Sequence, residues 1–173
     1  MSLSAATLLL PAPDAAWRVW KPRASSSGEA VDNPSSAGHL GKPLIIGLPA
    51  SACRTIGLLL PQTEDTDLLE QILITQLERR GFKPEQDGAG KNFRWHLLGT
   101  LGGQAILSVD LLAEPFPASL AAEHATDYTA ALRLAQLPAG HIVITEEQGD
   151  LVLAASHQGK LYHSHIFSQG PAT

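Results

Sequence analysis

LIIGLPASACRTIGLLLPQTEDTDLLEQILITQLERRG, residues 44–81, decides how this chain is read. Residues 43–48 are a short continuous apolar run, the pattern of a buried strand. Pro49-Ala50-Ser51 turns the chain, and residues 55–60 are a second such run. Pro61 stops it, because proline has no N–H to give to a ladder. A helix follows. Either Asp65 or Thr66 can cap its start, and Glu64, Asp65 and Asp67 suit the positive end of its dipole. Leu69, Ile72, Leu73, Gln76 and Leu77 keep a 3.6-residue period. Arg79 and Arg80 fall at the negative end, and Gly81 suits the first position beyond it.

On the N-terminal side, residues 7–10 and 17–21 read as two short strands around the turn residues Pro11, Pro13 and Asp14. Residues 23–42 are rich in Ser, Gly, Asn and Pro with almost no large apolar side chain, so they read as a loop or insertion. Beyond the helix, residues 83–91 form a polar loop. Residues 93–101 and 104–112 are two strands joined at Gly102-Gly103, a hairpin signal. Pro115 and Pro117 open a short Ala-rich helix over 118–125. Residues 128–137 fit extended or helical structure equally well. Residues 141–145, 150–155 and 161–167 make a meander with turns at Gln148-Gly149 and Gln158-Gly159. Sheet pairs covered by two helices predict an α/β or α+β class with a mixed sheet.

Composition narrows the function. At 173 residues and 44% apolar content the chain can bury one core, or two small lobes sharing one. A net charge of -5, with no basic run longer than Arg79-Arg80, argues against nucleic acid as a partner. The single cysteine, Cys53, excludes an internal disulfide and a Cys-rich zinc site, and its turn position suits a small filler residue. The N-terminal apolar run is too short for a signal peptide and lacks a basic flank. No stretch approaches the ~18 apolar residues of a membrane span, so a soluble chain without direct membrane insertion is expected.

Few residues suggest chemistry. His163 and His165 share one side of a strand, and His157 on the strand before could complete a metal site, although three surface histidines on a hairpin is the simpler reading. Ser51 is no nucleophile elbow, since Gly47 lies four residues before it. Glu146 and Glu147 point to opposite faces of a strand and read as a solvated turn pair rather than an acid and base. Gly99, Gly102 and Gly103 lie in a hairpin, away from the helix N-terminus a phosphate cradle needs. No catalytic, cofactor or metal residue is therefore assigned.

Leu48-Pro49-Ala50-Ser51, Leu60-Pro61 and Gln76-Leu77-Glu78 together carry a resemblance. The order of elements around them resembles the bacterial cytoplasmic actin-like domains of the type II secretion system L protein and its type IV pilus counterpart, the M protein. The resemblance spans most of residues 43–168. It implies an actin-like (RNase H-like) α/β fold, a mixed sheet with flanking helices, amounting to one lobe plus the start of a second. Residues 1–22 would be its first hairpin, 23–42 an insertion, 43–137 the first lobe and 138–173 the opening meander of the second. The Asp-x-Gly phosphate turns of actin-like ATPases are missing: Pro11-Ala12-Pro13-Asp14 and Glu146-Glu147-Gln148-Gly149-Asp150 stand in their places. The resemblance thus implies a non-enzymatic scaffold without a cofactor, cytoplasmic and peripheral to the inner membrane. Its partners would be the assembly ATPase, inner-membrane assembly proteins and a second copy of itself, met through the helix over 67–80 or the apolar edges of the meander. The alternatives are an actin-like nucleotide-binding ATPase and an unrelated small α/β binding domain.

Overall fold

A computed structural model describes residues 6–12, 17–21, 29–31, 44–85, 92–112 and 127–167. Three sheets and one α-helix make up the described structure. β1 (Thr7–Pro11), β2 (Trp17–Trp20), β3 (Glu29–Val31), β4 (Leu44–Leu48) and β8 (Asp127–Ala130) form a five-stranded mixed sheet in the order β3-β2-β1-β4-β8. β1 is antiparallel to β2 and parallel to β4, which is parallel to β8. β5 (Cys53–Pro61), β6 (Phe93–Leu101) and β7 (Gln104–Leu112) form an antiparallel sheet with β7 in the centre. β9 (Ile142–Glu147), β10 (Asp150–His157) and β11 (Lys160–Phe167) form the meander.

The expected actin-like α/β layer, a sheet flanked by helices, is not what the chain forms. The described structure is mostly strand, with three small sheets and a single α-helix, α1 (Thr66–Arg79). That helix packs on the β5-β7-β6 sheet rather than on the five-stranded one. The physical reason lies in the crossover. Parallel neighbours need a long connection, commonly a helix. Here the path from β4 to its parallel neighbour β8 runs through β5, α1, β6 and β7, a whole sheet with its own core. The helix expected over 118–125 lies outside the described residues. Within the span read as an insertion, Glu29–Val31 pairs with β2.

Local rules account for α1. The Asp65 side chain accepts from the N–H groups of Asp67 and Leu68, so Asp65 is the cap and Thr66 the first helical residue. At the other end, Phe82 N donates to Leu77 O at 3.0 Å and Gly81 N to Glu78 O at 2.9 Å, with Gly81 at φ 79°. This pair of bonds around a left-handed residue is the Schellman ending. Leu69, Leu73 and Leu77 form the buried stripe, packed on Ile56, Leu58, Leu107 and Val109.

A second core lies between the five-stranded sheet and the meander, built from Leu9, Trp17, Ile46, Leu48, Val152, Ala154 and Leu161. All five residues of β4 are buried, as its unbroken apolar run requires. β7 is covered on both faces. Its odd residues from Ala105 to Leu111 meet α1, while Ser108 and Asp110 face β11 and the 3-10 turn Ala131–Arg133.

Candidate functional site

The strongest polar constellation lies where the β5-β7-β6 sheet meets β11. Register sets Thr55 of β5 and Arg94 of β6 on either side of Asp110, with Gly57 and His96 on either side of Ser108. Five of these six are polar, and they fall in two adjacent cross-strand rows on one face. Thr55 Oγ1 donates to Asp110 Oδ1 at 2.8 Å. Arg133 donates from Nε to Asp110 Oδ2 and from Nη2 to Oδ1, both at 2.7 Å. Its Nη2 also reaches Ser108 Oγ at 2.7 Å, and Nη1 reaches Leu161 O at 3.2 Å. Ser108 Oγ donates to Tyr162 O, and Thr55 N donates to Ser164 Oγ. Arg94, half-buried, reaches across to β8, donating to Tyr128 O at 2.7 Å with its guanidinium 4.2 Å from the Tyr128 ring centre.

This chemistry is that of a joint. Burial pushes the Asp110 carboxyl up, but the hydrogen bonds and charge of Arg133, with the nearby His96 ring and the Thr55 hydrogen bond, outweigh it and bring the group down to about 2. A carboxylate held that low is a poor proton acceptor near neutral pH. All three Arg133 nitrogens are already engaged with the chain, so the guanidinium is committed to internal partners. His96 Nε2 lies 3.4 Å from Asp110 Oδ2 without a well-formed hydrogen bond. Close by, Tyr162 covers Gly57 so tightly that a methyl group there would overlap the ring.

A second tie forms at the Leu48-Pro49-Ala50-Ser51 turn. Pro49 O accepts from Ala52 N and Cys53 N at 2.9 Å. Ala50 N donates to Glu147 Oε2 at 2.8 Å, and Gln148 N donates to Ala12 O at 3.1 Å. The tip of the β9–β10 hairpin is thereby bound to the ends of β1 and β4. Glu146 and Glu147 do point to opposite faces of β9, but the expected solvation holds for only one of them: Glu146 is exposed and Glu147 is buried. Burial raises the Glu147 carboxyl, opposed by the Ala50 hydrogen bond.

The other residues singled out in the sequence do not converge. Cys53 is buried, and burial pushes its thiol far up, away from a reactive thiolate. His157 pairs with Lys160 at one end of the hairpin, whereas His165 pairs with Leu153 and packs edge-on against Phe167. Burial, then Arg54 and His165, lower His163. Among the described residues no group of three His, Cys, Asp or Glu side chains could hold a metal ion. Gly102 and Gly103 sit in the β6–β7 turn with φ 56° and 76°, as a tight hairpin requires. Ser51 is exposed and lines an open groove of about 420 Å³ with Arg54, Arg80, Phe82 and Leu112. Asp14 lies outside the described residues, and Asp150 opens β10. Among the described residues no helix is long and apolar enough to cross a membrane.

Sequence reasoning missed Asp110 and Arg133. The available signal was an acidic residue inside the apolar run of 105–112, because a carboxylate inside a strand that reads as buried demands a cationic partner.

No protein-family model matches the chain, and no curated protein matches it. Among solved structures it is similar to the cytoplasmic domain of EpsL, an inner-membrane component of the type II secretion system of Vibrio cholerae. The likeness has a TM-score of 0.57 at 13% identity and covers 94% of this chain and 70% of that one. At that identity it is a likeness of fold.

Proposed function

We propose that this chain is a non-enzymatic scaffold domain of an inner-membrane assembly platform, of the type II secretion or type IV pilus kind, acting on the cytoplasmic side. The observation that carries the reading is the fold likeness to the EpsL cytoplasmic domain over 94% of the chain. The commitment of Asp110 and Arg133 to internal partners supports a structural role for the most polar part of the interior. In this reading the chain holds an assembly ATPase and inner-membrane assembly proteins together.

Co-expression with the secretion or pilus ATPase of the same genome tests it. A complex that survives size-exclusion chromatography is expected. Failure to bind any such ATPase, with normal secretion and piliation after deletion of the gene, would overturn the platform role. ATP hydrolysis above background, lost on Asp150→Ala, would overturn the non-enzymatic part.

A further inference from the structure

The groove that Ser51 lines forms where α1 runs out above its sheet. α1 ends at Arg79, and Gly81 turns the chain back so that Phe82 N reaches Leu77 O. Arg54 of β5 pairs with Leu111 of β7 and, two residues before Ile56, shares its face of the sheet. Ile56, Leu77, Phe82 and Leu111 give the groove an apolar floor. Its volume of about 420 Å³ falls within the roughly 300–1,000 Å³ of small-ligand sites.

Two cations line the same groove. Arg54 comes from the sheet and Arg80 from the helix end, and both are exposed. Among the described residues neither guanidinium has an ion pair or a hydrogen-bond partner. Arg94 and Arg133, by contrast, are bound to the chain. No described acidic side chain lines the groove, although Asp and Glu outnumber Lys and Arg by 17 to 12 in the chain. Two arginines without counterions beside an apolar floor complement a ligand with one negative charge and an apolar body.

We propose that this groove binds a small amphipathic carboxylate. The carboxylate accepts from Arg54 and Arg80, whose forked donors match its geometry. The apolar body covers Ile56, Leu77, Phe82 and Leu111. Exposed ion pairs contribute little by themselves, so the apolar body supplies most of the affinity and the arginines select the sign of the charge. Size favours a small molecule over a protein. Nine described residues line the groove, whereas a stable protein interface takes roughly 20–30 from each side. A compact anion such as inorganic phosphate would leave the floor uncovered. The inference goes beyond the scaffold reading and does not rest on it.

Calorimetric titration of the 173-residue chain with octanoate, decanoate, decylammonium and inorganic phosphate tests it. Decanoate should bind roughly tenfold more tightly than octanoate, because two more methylenes are buried. Decylammonium and phosphate should not bind measurably. Arg54→Gln and Arg80→Gln should each weaken decanoate about three- to fivefold, with an unchanged circular dichroism spectrum. No binding of decanoate, equal binding of decylammonium, or undiminished affinity in both arginine variants overturns the proposal. A measurement on the natural chain stands if the variants misfold. Amide chemical-shift changes on adding decanoate should centre on Ser51, Gly81 and Phe82. Changes centred on the exposed Ile142 and Ile144 instead would overturn the assignment of the groove.

Discussion

Arg133 meets both carboxylate oxygens of Asp110, each at 2.7 Å, and ties the 3-10 turn to the central strand of the β5-β7-β6 sheet. The pair is nearly enclosed, with side-chain exposures of 11% and 5%. Removing one partner strands a buried charge. Asp110→Ala should cost about 3–5 kcal/mol. Asp110→Leu with Arg133→Met should cost much less than the two single changes added together, because neither charge is left behind. Urea unfolding of the four proteins in this cycle measures the coupling. Simple additivity would show that the two side chains do not act as one joint.

Acid should expose the same pair. The Asp110 carboxyl is held at about 2, below its ordinary value of 3.8. A depressed carboxyl adds stability that is present above the unfolded value and is lost as pH falls through the folded one. The loss therefore lies between about 4 and 2. Melting temperatures taken down that range should fall steeply for the natural chain and less steeply for Asp110→Asn.

Glu147 should behave with the opposite sign. Its carboxyl is raised by burial, so its favourable contribution is complete below the ordinary value of 4.5 and fades as pH rises through the folded value. Glu147→Gln keeps an oxygen for Ala50 N and removes the buried charge. Its stability relative to the natural chain should improve from pH 4.5 towards neutrality. A constant difference over that range would remove Glu147 as the titrating group.

The contact between Gly57 and Tyr162 fixes how closely β5 and β11 approach. Gly57→Ala should cost about 1–3 kcal/mol through overpacking. In a Tyr162→Leu background, where the ring is gone, the same methyl group should cost less. Denaturant midpoints of the single and double variants give the comparison.

The helix offers a graded series. Leu73 is fully buried, and Leu73→Ala should cost about 2–5 kcal/mol. Leu68 is 45% exposed on the opposite side, so Leu68→Ala should stay within about 0.5 kcal/mol. Gly81 holds φ 79°, and Gly81→Ala should cost about 1 kcal/mol for the left-handed backbone. Chemical unfolding of the three variants ranks them, and a Leu68 cost equal to that of Leu73 would contradict the assigned buried stripe.

Local rules made much of this legible. Gly102-Gly103 and Gln148-Gly149 announce their hairpins because tight turns demand left-handed residues, and Leu69, Leu73 and Leu77 announce their stripe through period alone. The arrangement of sheets was not legible in the same way. Nothing local distinguishes a helix lying over the five-stranded sheet from one lying on the strands that interrupt it, so the expected actin-like layer failed at the crossover from β4 to β8. The polar joint was half legible. Asp110 is conspicuous in an apolar run, but Arg133 lies 23 residues away on a 3-10 turn whose segment fitted two structures equally well. Glu147 looked like an ordinary turn residue because its partner is the backbone of Ala50, 97 positions earlier.

The crossover also sets an order of events for folding. Ile45 pairs with Asp127 and Leu48 with Ala130, so one edge of β4 waits for a strand made 82 residues later. The β1–β2 and β6–β7 hairpins close locally, whereas β4–β8 pairing requires a long loop to close first, which places it among slow steps. Until then Leu44, Ile45, Ile46 and Leu48 stand at an unpaired apolar edge of a growing chain. The nascent protein therefore passes through a stage open to aggregation, ended only when Ala130 has been synthesised and β8 docks.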